Sequence, residues 1–321
     1  MAQVSGTTDT LDIVGMAEDI EDAIWTITPT ETPLLTLAKR KKATNTLHQW
    51  QTDALAAATS NKQIEGDDAS FVTATPTTLL SNYTQILRKT VVVSRTAGTV
   101  KKYGRAKELA RLVTKYGREI KRDIEFALVS NQSSSVGGSS TARQMAGLES
   151  MIAGNRVIQS GNTTGTTPGY AAGVWSAPTD GTATALDETL LVSGIQAAWD
   201  DGGDPSVVML PWALKRKVSA FTGATKYAGA YMNQGKTQAA LIGAVDVYIS
   251  DAGEHKLVLN RYMRTRTVMG IDPEYVSVAF LDGIQMTDLA KTGDAEKKMI
   301  ITECCLVADN PDAHFKCQDV S

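Results

Sequence analysis

Histidine, cysteine and long apolar runs are scarce in this 321-residue chain, and each shortage removes a class of function. His48, His255 and His314 are the only histidines; they are far apart and in no HExxH or His-plus-Cys spacing, so none is assigned as metal ligand or catalytic base. Each reads as a surface or partly buried polar residue. The three cysteines, Cys304, Cys305 and Cys317, lie near the C-terminal end, and an odd count with two adjacent residues is no disulfide framework. Reduced thiols in a cytoplasm-like setting are therefore expected; on a strand Cys304 and Cys305 would face opposite ways, which disfavours metal chelation by the pair and leaves them as small buried hydrophobes.

No run of 18 apolar residues could cross a membrane, and the opening MAQVSGTTDTLDIVG lacks the basic-then-apolar pattern of a signal peptide, so the expectation is a chain neither anchored nor exported. No GxSxG, CxxC or GxGxxG motif occurs. Residues 229–237, GAYMNQGKT, end like a phosphate loop, but five residues separate the glycines instead of four, and no buried strand precedes them. Asp67, Asp68, Asp200, Asp201 and Asp204 fall in turns, where Asp bonds its own backbone; without an EF-hand pattern, calcium is only a secondary reading. No catalytic residue, cofactor or metal is assigned. A net charge of −3 argues against a dedicated nucleic-acid binder while leaving room for a local basic face.

The chain does have a core: 42% of its residues are hydrophobic, enough for two ordinary domains or one with large insertions. Its clearest element is residues 104–131, where Leu109, Leu112, Val113, Tyr116, Ile120, Ile124, Ala127 and Leu128 recur at steps of three and four. That spacing predicts an amphipathic helix about 40 Å long. Gly117 sits within it at a cost of about 1 kcal/mol relative to Ala, so packing must override propensity there. Lys107, Arg111, Lys115, Arg118 and Arg122 form a stripe nearly opposite the apolar face. Either the stripe is a solvated face laced by the i,i+4 pairs Lys115–Glu119 and Lys121–Glu125, or it meets a polyanion or another subunit.

Before this helix, a helical pattern over 16–27 gives way to TPTETPLLTLAKRKK, an arm broken by Pro29 and Pro33 and ending in the run Lys39 to Lys42. That run reads as a solvated face or as part of an arm packing outside its own core. TNTLHQWQTD and TQILRKTVVVS read as strands flanking the polar interval 54–76, which together predict an extended hairpin that reaches beyond the core. After the helix come Gly/Ser/Thr-rich tracts over 132–185. A compact αβ unit then begins near Leu186: a helix over 187–199, a buried strand SVVMLP, a helix WALKRKVSAF, and strands near 244–250, 256–260 and 275–281. A long strand over 297–308 returns at the end.

The order of parts, together with TNTLHQWQTDALAA, SNYTQILRKTVVVSRTA, KRDIEFAL and LAKTGDAEKKMIITE, resembles tailed-phage major capsid proteins of the Hong Kong 97-type fold, from about Pro33 to Ala313. The resemblance implies an α+β fold with an N-arm (1–43), an extended β-hairpin E-loop (44–90), a P-domain (91–185) holding the spine helix 104–131, an inserted αβ A-domain (186–275) and a return to the P-domain sheet (276–321). It further implies a structural protein and not an enzyme, self-assembling as hexamers and pentamers into an icosahedral head around double-stranded DNA contacted non-specifically. Portal protein and scaffolding or decoration proteins would be its partners, the virion its location and the host cytoplasm its place of assembly. A Lys–Asn cross-link known in some members maps onto no residues here. The alternatives are a non-viral encapsulating shell of the same fold, or a soluble enzyme with a site built from loop carboxylates and His255.

Overall fold

The computed structural model describes residues 27–68, 71, 73–104, 107–159, 168–221 and 246–321. The helical pattern at 16–26 and the GKT stretch at 229–237 lie outside the described residues. Along the chain, α1 (Pro33–Leu37) leads into β1 (Lys39–Lys42), β2 (Leu47–Thr52), β3 (Thr78–Tyr83) and β4 (Gln85–Ser94). The short α2 (Arg95–Thr99) precedes the long α3 (Glu108–Val129) and the single turn α4 (Leu148–Met151). Next come β5 (Val157–Ile158), β6 (Gly169–Ala171), β7 (Val174–Ser176), α5 (Glu188–Asp200), β8 (Val207–Leu210) and α6 (Trp212–Val218). The strands β9 (Val247–Ser250), β10 (Gly253–Leu259), β11 (Val268–Ile271), β12 (Val276–Asp288), β13 (Ala295–Ala308) and β14 (Phe315–Cys317) complete the described fold.

Two main sheets organise these elements. One has the order β1-β12-β13-β4, the other β5-β14-β11-β8-β10-β9, and the small pairs β2-β3 and β6-β7 stand apart. The C-terminal half of α3 packs its Ile124, Ala127 and Leu128 into a core shared with Leu34, Leu35, Val278, Cys304, Cys305 and Leu306. A second core lies between α5, α6 and the six-stranded sheet, around Leu191, Ile195, Val208, Leu214 and Phe315. Burying each such side chain is worth about 1.5–3 kcal/mol. Cys304 and Cys305 lie on β13, fully buried and free, because both faces of the strand are covered there. Burial pushes both thiols up to about 12.

The long helix is shorter than its periodicity predicts. Lys107 and Ser130 both have extended backbones, with ψ 122° and 156°, and so bound a 22-residue helix of about 33 Å. Its apolar face is also divided. Ile120, Ile124, Ala127 and Leu128 are buried, whereas Leu109, Leu112, Val113 and Tyr116 remain half-buried. Open space surrounds a Cβ built on Gly117, so no close approach demands glycine, and the packed C-terminal half carries the helix through it.

Three more expectations change. Lys39 to Lys42 is not a free arm: its side chains are exposed, but its backbone pairs in parallel with Ser277 to Phe280 of β12, and Leu34 and Leu35 just before it lie in the main core. The hairpin partner of β2 is β3, with Leu47 opposite Tyr83 and Thr52 opposite Thr78. The strand TQILRKTVVVS instead runs along β13, Gln85 opposite Cys304 and Ser94 opposite Ala295.

Phe315 shows how tightly the second core is built. Its ring lies between Gly194 of α5 and Gly270 of β11, and a Cβ added to either glycine would collide with it. Gly270→Ala should therefore destabilise the subunit by about 1–3 kcal/mol, the range for overpacking a filled core. Denaturant titration of the unassembled chain measures this; an unchanged midpoint would mean that the ring can move aside.

Candidate functional site

Glu125 of α3 is fully buried. Its Oε1 accepts from Leu34 N at 2.9 Å and from Asn260 Nδ2 at 2.6 Å, and its Oε2 from Leu35 N at 2.8 Å. These two backbone donors belong to the first turn of α1, whose N-cap Thr32 gives no side-chain bond, so the carboxylate satisfies N–H groups that a helix start leaves open. Burial pushes Glu125 up from the ordinary carboxylate range, while the bonds from Leu35, Leu34 and Asn260 hold it down. The i,i+4 pair expected between Lys121 and Glu125 does not form, since this carboxylate is committed to a segment some 90 residues away. Glu125 lies eighteen residues beyond Lys107, about five turns, and so shares its angle beside the basic stripe. The N-terminal arm thus covers the C-terminal end of the stripe face.

The other stripe residues follow from that geometry. Arg122 donates from Nε to the Tyr262 hydroxyl at 3.0 Å, with its guanidinium 5.8 Å from the ring centroid. The Tyr262 hydroxyl in turn donates to Pro29 O at 3.3 Å. Arg111 pairs with Glu108 at 2.5 Å and Lys115 with Glu119 at 3.8 Å, while Arg118 is exposed and has no ion pair among the described residues. Arg111, Lys115, Arg118 and Arg122 come together with Glu119, Thr28 and Thr30 around a groove of about 520 Å³. Lys107 is placed elsewhere, on a cleft of about 750 Å³ shared with Arg95, Leu109, Lys291, Asp294 and Glu296.

The β2-β3 hairpin is firmly rooted. Asn82 donates from Nδ2 to Leu306 O at 2.7 Å and accepts from Ala146 N at 2.9 Å, and Trp175 Nε1 donates to Ser81 O at 2.8 Å. Beyond Thr52 and Thr78 the chain leaves the body. Leu55, Ile64 and Phe71 there are 100%, 80% and 98% exposed, although residues of these types are usually inside.

The histidines were expected at the surface or partly buried, yet His255 and His314 are fully buried. His255 Nε2 lies 2.7 Å from Ser250 Oγ and its Nδ1 2.8 Å from Pro205 O, which pins the β9-β10 turn to the start of β8. His314 Nδ1 accepts from Asp272 N at 3.1 Å, and burial takes its pKa down to about 4. A buried ionic cluster was also missed. Lys316, fully buried on β14, donates to Glu149 O at 2.7 Å. Arg264 binds the Glu149 carboxylate at 2.9 Å and reaches Asp180, and Thr267 donates to Glu149 at 3.0 Å. Burial pushes Glu149 up and Lys316 down to about 7, the latter against the pull of Glu149 and Asp319. The partners of Glu149 lie more than 100 residues away in sequence, beyond any local pattern.

A protein-family model described as SU10 major capsid protein matches residues 3–321. The chain is 29% identical over 319 residues to the major capsid protein of Escherichia phage Phieco32, covering 90% of each. Among solved structures it is similar to the Cyanophage A-1(L) capsid asymmetric unit, with TM-score 0.64, 13% identity and coverage of 97% of this chain and 98% of that one. It is also similar to the holo-SrpI encapsulin complex of Synechococcus elongatus PCC 7942, with TM-score 0.55, 9% identity and coverage of 95% and 92%. At such identities the two structures bear on fold alone.

The buried lysine has a measurable signature. Its folded pKa of about 7 lies below the ordinary 10.5, so between those values the unfolded chain holds a proton that the native state lacks. Stability contributed by this group therefore rises with pH across that window, with a slope approaching about 1.4 kcal/mol per pH unit. Denaturant titrations from pH 7 to 10 should show this rise and its loss in Lys316→Met; parallel pH profiles for the two proteins would contradict it.

Proposed function

The chain belongs to the SU10 major capsid protein family, and from that premise we propose how its parts build the shell. It is a structural major capsid protein of a tailed phage, forming the icosahedral capsid of the virion. Residues 1–43 are the N-arm and 44–90 the E-loop, whose last strand passes into the body as β4. Residues 91–185 form the P-domain with α3 as its spine, 186–275 the A-domain, and 276–321 the return to the P-domain. Subunits assemble as hexamers and pentamers in the host cytoplasm, with portal and scaffolding or decoration proteins as partners, around double-stranded DNA held by non-specific contacts. The encapsulin likeness is one of fold, and the family match favours the phage capsid.

The observation that carries this reading is the projecting hairpin. Leu55, Ile64 and Phe71 are exposed, with no cover among the described residues of their own subunit, and a neighbouring copy supplies it. The half-buried N-terminal face of α3 is a second unfinished surface. The groove of Arg111, Lys115, Arg118 and Arg122 is the surface for an anionic partner within the shell. No covalent Lys–Asn link is part of this proposal.

Negative-stain microscopy of the purified chain should show closed particles, and denaturing gels of intact particles a single band at the mass of one chain. A monodisperse monomer would overturn the shell reading, and a ladder of covalent oligomers the absence of cross-links. Phe71→Ala should leave the circular dichroism of the subunit unchanged while weakening particles by about 1.5–3 kcal/mol per subunit; equal particle stability would show that the tip is not covered.

A further inference from the structure

We infer that the basic groove on α3 is filled by the acidic N-terminal segment of its own chain, so that this cationic surface is neutralised from within and is not a DNA-binding face. The inference rests on the reading of this groove as a surface for an anionic partner, and it names that partner.

Two independent observations carry it. The first is direction. Leu34 and Leu35 bond Glu125, and Pro29 O accepts from the Tyr262 hydroxyl that Arg122 also holds. Thr28 and Thr30 then line the groove of Arg111, Lys115, Arg118 and Arg122. Followed backward from Leu35, the arm therefore runs along the stripe from its C-terminal end toward its N-terminal end. The described arm thus ends at Thr28 and Thr30 on the groove that Lys115 and Arg111 also line.

The second observation is charge. Residues 1–26 contain Asp9, Asp12, Glu18, Asp19, Glu21 and Asp22, and no Lys or Arg. The whole chain has 32 basic and 35 acidic side chains, so the remainder without this segment has 32 basic against 29 acidic. The negative balance of the subunit resides in a segment attached at the mouth of its basic groove. Reach fits as well. Asp22 and Glu18 are six and ten residues before Thr28, about 9–15 Å if helical and up to about 20–35 Å if extended. The groove runs from Arg122 to Arg111, eleven residues or about 16 Å of helix. Four carboxylates within five residues can thus meet four cations, two of which, Arg118 and Arg122, have no ion pair among the described residues, while Arg111 pairs with Glu108 and Lys115 more loosely with Glu119. Tethering holds the effective concentration high, which favours this segment over free polyanions.

Zero-length coupling tests the contact. Particles treated with a water-soluble carbodiimide, which joins touching carboxylates and lysine amines, are digested and their linked peptides read by mass spectrometry. Bonds from Lys115, the one lysine of the groove's stripe, to Glu18, Asp19, Glu21 or Asp22 are expected. Their yield should fall at least tenfold in the Glu18→Gln, Asp19→Asn, Glu21→Gln, Asp22→Asn variant, and should also fall with added salt. Three results would overturn the inference: bonds to Glu65, Asp67 or Asp68, which would put a neighbour's hairpin tip in the groove; Lys115 shielded only in DNA-filled particles, which would put DNA there; or no Lys115 bond beyond Glu119. Should the quadruple variant not assemble, the wild-type linkage map alone decides. Particle formation is scored separately by microscopy, and a chain that fails to form shells is coupled as free subunit, which separates a failed contact from a failed capsid.

Discussion

A single buried carboxylate, Glu125, holds the parts of this subunit in register. Taking a charge out of water costs several kcal/mol unless hydrogen bonds replace the lost solvation, and here three donors from two distant segments converge on it. The first turn of α1 gains the acceptors its own cap lacks, Asn260 is oriented to hold Tyr262 N at 2.9 Å, and Tyr262 positions Arg122. Without that carboxylate the arm would lose its anchor on the long helix. The course of the arm along the basic face depends on this anchor, and with it which cations remain for a partner.

The subunit is well packed where α3, α1 and β13 meet and unfinished elsewhere. Leu109, Leu112, Val113 and Tyr116 are half-covered, and the hairpin tip carries fully exposed apolar side chains on a root fixed by Asn82, Ser81 and Trp175. Such surfaces are unfavourable in a free monomer and suit a protein whose working state is an assembly, since isologous and ring contacts bury them many times over. The rigid root and exposed tip differ in role: the first fixes where the hairpin points, and the second leaves apolar side chains open to solvent.

Where local pattern and tertiary demand agreed, the fold was legible in the amino-acid order. The α3 face, the apolar strand at Val207–Leu210, the helix Glu188–Asp200 and the long return strand followed from periodicity of 3.6 or 2. Strand β3 was not legible, because Ser81 and Asn82 are polar residues buried by bonds to Gly173, Ala146 and Leu306, and no alternation marks them. Lys39 to Lys42 looked solvated because its side chains are, while its backbone joins a sheet. Of the candidate stripe, the angular alignment was readable but the partition was not. Arg122 is engaged by Tyr262, Lys107 faces another cleft, and Glu125 beside them was paired with Lys121 when its donors lay far away on both sides in the chain.

The central claim is that one end of α3 is locked within the subunit while the hairpin and the other end are completed only by neighbours. Hydrogen–deuterium exchange, compared between free subunits and assembled shells, tests this directly. The account predicts that amides of Leu34, Leu35 and Ile120 to Val129 are protected in both states, whereas residues 53–77 and the first turns of α3 gain at least tenfold protection on assembly. Equal exchange of residues 53–77 in the two states would contradict it.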